Sequence, residues 1–171
     1  MAATSSKYIV WGLISGAIIG VGSYLYFNIK KAMDFDSKIS GFKLISQNSE
    51  KIVIGIDLDV TNKSDLKAEI TGYDFDVFIN DNHIAKVNNT TQGLFINANS
   101  TSKINLPVEM KKSTFASYND FSKIYALLLT AVANAKTTTI KIKGKFTGKL
   151  AGLELKNYPL DIKYTLEEIL S

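Results

Sequence analysis

Few side chains in this sequence are equipped for chemistry, and their spacing is mostly that of an amphipathic sheet. His83 is the only histidine, cysteine is absent, and all 20 basic residues are lysine. A nucleophile–base pair built on imidazole would have to use His83, which sits beside a turn-forming Asn-Asp-Asn run and reads as an exposed turn residue. No Gly-x-Ser-x-Gly elbow is present. The lack of cysteine excludes disulfides and thiolate metal sites and leaves the redox compartment undetermined. Three Asp-x-Asp pairs occur, Asp34/Asp36, Asp57/Asp59 and Asp74/Asp76. On a strand, residues i and i+2 point the same way. If the strands carrying the second and third pairs were neighbours, four carboxylates could bind Ca²⁺ through oxygen. The simpler reading is the wet side of a sheet, which needs such alternating charge. Gly144 and Gly148 flank no helix start, so no phosphate loop is formed. No catalytic residue, cofactor site or metal site is assigned. The Asn-x-Ser/Thr triplets at Asn62, Asn88, Asn89 and Asn99 would matter only in a glycosylating compartment.

What positions these residues is a chain in two parts. Tyr8 to Phe27 carries no charge, and at 1.5 Å per residue about twenty helical residues span the hydrocarbon core of a bilayer, about 30 Å. Interface chemistry marks its ends: Tyr8 and Trp11 at one, Tyr24, Tyr26 and Phe27 at the other, followed by Lys30 and Lys31. Residues 8–29 are therefore read as one membrane-spanning helix, behind a short N-terminal tail (residues 1–7). Aromatic residues, not a cleavage site, follow Gly20-Val21-Gly22-Ser23, which disfavours a signal peptide. The lack of a charged face disfavours a helix lying on the membrane surface. Gly12, Gly16 and Gly20 share one helix face, where a second backbone can approach closely. Only Lys7 precedes the span, whereas Lys30, Lys31, Lys38 and Lys43 follow, so the positive-inside rule places the C-terminal domain on the cytoplasmic or interior side.

The remaining residues, roughly 135, are enough for one domain with a core. Residues 30–37 read as a polar stem. Alternation then begins, cleanest from Ile52 to Thr61, with Ile52, Ile54, Ile56, Leu58 and Val60 on one side and Asp57, Asp59 and Thr61 on the other. Tyr73, Phe75, Val77 and Ile79 form a second inward row. Asn80-Asp81-Asn82 makes a hairpin turn, because Asn and Asp tolerate positive φ. Leu94-Phe95-Ile96 is a short strand. Ile104 to Met110 alternates, with Pro107 marking an edge. Phe121, Ile124, Tyr125, Leu128, Leu129 and Val132 then repeat with helical spacing, and the helix starts near Tyr118. Gly148 to Gly152 turns between two closing strands, and residues 167–171 form a tail. Seven or eight strands with polar turns and one late helix imply antiparallel sheets packed as a sandwich. A net charge of +4 spread along the chain and the absence of Arg argue against a sequence-reading nucleic-acid protein.

Residues 38–166 resemble a late embryogenesis abundant type 2 domain, overlapping the water-stress and hypersensitive-response (WHy) domain. The resemblance is carried by IVIGIDLDVTNKS, YDFDVFINDNHIAKV, STSKINLPVEM, the helix from Tyr118, and TIKIKGKF with YPLDIKY. The family's turn usually has Pro between two Asn residues; Asn62-Lys63-Ser64 keeps the first Asn and lacks the Pro. The resemblance implies an immunoglobulin-like β-sandwich without catalytic residues, linked to stress or desiccation protection and to membranes. Many plant relatives also carry an N-terminal membrane helix with the domain outside, the reverse of what the lysine bias predicts here.

Three functions follow as expectations. The first is a non-enzymatic, single-pass protein that needs no cofactor and binds or stabilises partners at the surface of the lipid bilayer, through sheet contacts, lysine attraction to anionic lipid, and self-association or partner docking on the glycine face. The second is a structural component of a membrane-containing virion or other assembly, bridging lipid to a protein shell. The third is a carrier with an apolar groove between sheet and helix.

Overall fold

Ile52, Ile54, Ile56, Leu58 and Val60 are all essentially inaccessible to solvent, because the strand that carries them has a sheet neighbour on each side and a second sheet beneath. The computed structural model describes residues 34–90, 93–115, 118–131, 133–150 and 152–171. In it these five residues lie on β2 (Lys51–Asn62), paired antiparallel with β1 (Phe35–Gln47) and β6 (Ser100–Lys111). A second sheet has the order β4 (Asn82–Asn89), β3 (Ala68–Ile79), β7 (Thr139–Leu150), β8 (Leu153–Thr165). A short β5 (Leu94–Ile96) pairs with the first residues of β3. Every pairing is antiparallel. Ile39, Ile54 and Leu106 of the first sheet share one core with Phe75, Val77 and Ile142 of the second. This is the expected sandwich of antiparallel sheets.

Several local expectations are met. The β3–β4 turn has Asn80 at φ 48° and Asp81 at φ 62°, the positive values that a two-residue hairpin twisted with its strands requires. Pro107 sits on β6, at the edge of its sheet, where a missing N–H is harmless. Gly144 on β7 packs directly on Phe75, and a side chain there would collide with the Asp74 carbonyl.

Other expectations are corrected. The first strand begins at Phe35, inside the predicted stem, because the Phe35 ring packs edge-on against Tyr158 of β8, 5.6 Å between centroids. β7 and β8 run further toward each other than Gly148 to Gly152 implied; Gly148 lies within β7, beside a register shift. The helix α1 (Tyr118–Ala131) joins β6 to β7. Its buried stripe is Phe121, Ile124 and Ala131, whereas Leu129 is 56% exposed. Tyr125 and Leu128 of the predicted apolar face pack against the core at its margin, so Leu129 alone departs from that face among the described residues, and Val132 lies outside them. The C-terminal tail is a second helix, α2 (Leu166–Leu170), which buries Leu166 and Ile169. A capping box starts it: the Thr165 side chain accepts from the Glu168 N–H, and the Glu168 carboxylate accepts from the Thr165 N–H at 2.7 Å.

The apolar stretch with Tyr8, Trp11, Gly12, Gly16, Gly20, Tyr24, Tyr26, Phe27, Lys30 and Lys31 lies outside the described residues. Among the described residues, no helix is long and apolar enough to cross a membrane.

Candidate functional site

The acidic pairs are not brought together. Asp57 and Asp59 stand on β2, Asp74 and Asp76 on β3, and the shared core separates the two sheets. The pairs therefore project from opposite outer faces, and the four-carboxylate Ca²⁺ arrangement does not form. Lys103 approaches Asp57 and Asp59 at 3.9 Å each. The Lys86 ammonium lies 3.1 Å from Asp74, and His83 Nε2 lies 3.1 Å from Asp76. His83 is half exposed and rests edge-on against Phe78. Asp36 pairs with Lys63 at 3.2 Å. Among the described residues no three His, Asp or Glu side chains converge as metal ligands.

The lysines of β7 follow the same logic. Lys141, Lys143 and Lys145 alternate with buried Ile140, Ile142 and Phe146. They stand in register with Phe78, Asp76 and Asp74 on one side and with Lys163, Asp161 and Pro159 on the other. Lys141 reaches Asp161 at 3.6 Å, and Lys163 binds both oxygens of Asp81 at 3.0 Å. The result is a mixed-charge, solvated face with a modest positive excess.

The densest polar arrangement lies at one end of the sandwich and centres on Asn62, which is fully buried. Its Nδ2 donates to the carbonyls of Leu66 at 2.7 Å, Asn97 at 3.1 Å and Ile96 at 3.3 Å. Its Oδ1 accepts from the Ser64 N–H at 3.1 Å and the Ser64 hydroxyl at 2.7 Å. The Asn99 N–H donates to the Ser64 carbonyl at 3.1 Å. One side chain thereby ties the β2–β3 loop to the turn after β5. Phe35, the first residue of β1, pairs with Asn62 in register. The sequence shows Asn62 only as a turn residue; the available signal is the Asn-x-Ser spacing that ends a strongly amphipathic strand, which favours an Asx turn. Burial and three committed amide contacts also remove Asn62 as a glycosylation acceptor in the folded domain.

The same end exposes large apolar groups. Leu66 is 38% and Phe95 55% exposed, and the Lys67 ammonium sits 4.2 Å above the Phe95 ring. A groove between α1 and the first sheet, lined by Phe42, Leu44, Ile54, Tyr125 and Leu128, has a volume of only about 30 Å³. That is room for about one water, not for an apolar cargo. A larger cleft of about 420 Å³, lined by Asn48, Ser49, Lys112, Phe121 and Tyr125, is wide open to solvent.

A two-sheet antiparallel sandwich with mixed-charge faces and a buried asparagine tying its end loops defines a β-sandwich scaffold. The family model for late embryogenesis abundant proteins (LEA_2) matches residues 57–167, from mid-β2 to the start of α2. The match takes in the greater part of the chain, and the chain belongs to this family. No curated protein sequence matches it. Among solved structures, it is similar to a protein from Archaeoglobus fulgidus (14% identity, TM-score 0.44, covering 76% of this chain and 94% of that one). It is also similar to AT1g01470 from Arabidopsis thaliana (15% identity, TM-score 0.48, covering 75% and 78%). A putative late embryogenesis abundant protein, At2g46140.1, is similar as well (9% identity, TM-score 0.42, covering 92% and 87%).

Proposed function

We propose that this chain is a membrane-tethered, non-enzymatic protective module. Residues 8–29 hold it to a bilayer, and its sandwich binds or stabilises partners at that surface under stress. The observation that carries the reading is the family match over residues 57–167, joined to an uncharged stretch from Tyr8 to Phe27 of membrane-spanning length. That His83, Asp57, Asp59, Asp74 and Asp76 are taken up in surface ion pairs agrees with a binding role rather than a catalytic one. The lysine bias after the span supports a cytoplasmic or interior side for the sandwich.

The test is dye retention by vesicles carrying the intact chain, dried and rehydrated. Retention should exceed that of vesicles carrying residues 1–33 alone. Equal leakage from both would overturn the protective role. A second reading, a structural piece of a membrane-containing assembly, is favoured by the repeat of Gly12, Gly16 and Gly20. It predicts symmetric oligomers after gentle extraction in lipid.

A further inference from the structure

We propose that the Leu66–Phe95 end of the sandwich docks into the interfacial zone of the bilayer that holds the chain. The inference rests on the reading that residues 8–29 span that bilayer. Three observations carry it. The first is where the chain enters the domain: Phe35 pairs with Asn62, and Asn62 binds the carbonyls of Leu66 and Ile96. The entry point, the β2–β3 loop and β5 therefore form one end. The second is the length of chain outside the structure. The eight steps from Phe27 to Phe35 extend at most about 28 Å. A tether that short holds this end near the headgroups at high effective concentration, so a small contact suffices.

The third observation is the chemistry. Leu66 and Phe95 are exposed on this end, and Lys67 lies over the Phe95 ring at 4.2 Å. An aromatic ring, an aliphatic side chain and a lysine able to snorkel make an interfacial composition. On β5 the burial of Ile96 turns its neighbour Phe95 outward, and the Leu66 carbonyl is held by Asn62; Leu44, Ile45, Leu129 and Leu170 are exposed elsewhere on the domain. Charge is not the driving term. Lys63, Lys67 and Lys149 are offset by Asp36, Asp65 and Glu69; Lys63 pairs with Asp36, and Lys149 faces Glu69 in register. The contact should therefore form on neutral lipid and resist added salt.

The chain has no cysteine, so single reporters can be placed cleanly. Full-length Lys63→Cys and Ser49→Cys, each carrying an environment-sensitive fluorophore, are reconstituted in phosphatidylcholine vesicles containing headgroup spin-labelled lipid. Ser49 lies at the β1–β2 turn, at the other end of β2. Quenching at position 63 should exceed that at position 49 severalfold. It should fall at least twofold when Leu66→Gln and Phe95→Gln are added, with the circular dichroism unchanged. Equal quenching at both positions, in a chain that stays on vesicles through an alkaline wash, overturns docking and leaves the anchor standing. Quenching indifferent to the paired glutamines also overturns docking, since proximity alone would then explain it. A label that ignores lipid but responds to protein density in the membrane assigns the patch to a second copy and overturns the proposal. If the alkaline wash strips the chain, the anchor reading fails; quenching before the wash would still support docking, and its absence would overturn it.

Discussion

Replacing Asn62 with alanine should be among the most damaging conservative-sized changes to this domain. The side chain is fully buried, and two amide hydrogens serve three carbonyls, those of Leu66, Ile96 and Asn97. The carbonyl oxygen serves the Ser64 N–H and hydroxyl. Counting two donated and two accepted bonds at about 1 kcal/mol net each gives about 4 kcal/mol. The Ser64 hydroxyl also reaches the Leu66 carbonyl, at 3.1 Å, and can keep one acceptor satisfied, so about 3 kcal/mol is expected for Asn62→Ala. For a domain of this size that lowers the melting temperature by about 10 °C. Asn62→Asp should be worse, because it turns the donor into a charged acceptor facing three carbonyls. Asn88, exposed on the edge strand β4, is the control, and its alanine variant should stay within about 0.5 kcal/mol of the parent. Urea denaturation of the intact chain in mild detergent, followed by far-ultraviolet circular dichroism, measures all three. A loss below about 1 kcal/mol for Asn62→Ala would mean that this amide does not tie the loops together.

Three further outcomes follow from the packing and the caps. Ile124→Ala on α1 should cost about 2–4 kcal/mol, and Leu129→Ala within about 0.5 kcal/mol, since only the first is buried; the same urea titration reads both, and equal losses would restore the helix face expected from sequence. Gly144→Ala should cost about 1–3 kcal/mol in that titration, because the new methyl meets the Asp74 carbonyl and the Phe75 ring. The Glu168 carboxyl is held below its ordinary pKa by the Thr165 backbone N–H and then by the Thr165 hydroxyl. A depressed folded-state pKa contributes stability that is present above the unfolded value and lost as pH falls through the folded one. Denaturation midpoints for Glu168→Gln should therefore lie below the parent at neutral pH and converge with it in acid, and a constant gap across the range would contradict the cap.

The strands were legible because burial on one side writes a period of two into the residues: Ile52 to Val60 and Ile140 to Phe146 could sit in water no other way. Asn80-Asp81 was legible because few residues accept positive φ. Other features depend on partners that no local window contains. Which edge of the apolar face of α1 stays exposed, at Leu129, is decided by the core it packs against. Phe35 becomes strand because Tyr158, far away in sequence, offers a ring. The second helix carried a readable signal, Thr165-x-x-Glu168, but its five residues are stabilised by burying Leu166 and Ile169 rather than by length. The opposite placement of the Asp pairs depends on which strands share a sheet, and Asn62 looks like any turn asparagine until the loop after β5 folds over it.

The tether itself is tested most directly by floating the intact chain, and a version lacking residues 8–29, with phospholipid vesicles through an alkaline wash. The intact chain should rise with the lipid, and the shortened one should stay in the aqueous layer with its sandwich folded. Equal partitioning of the two would contradict the tether.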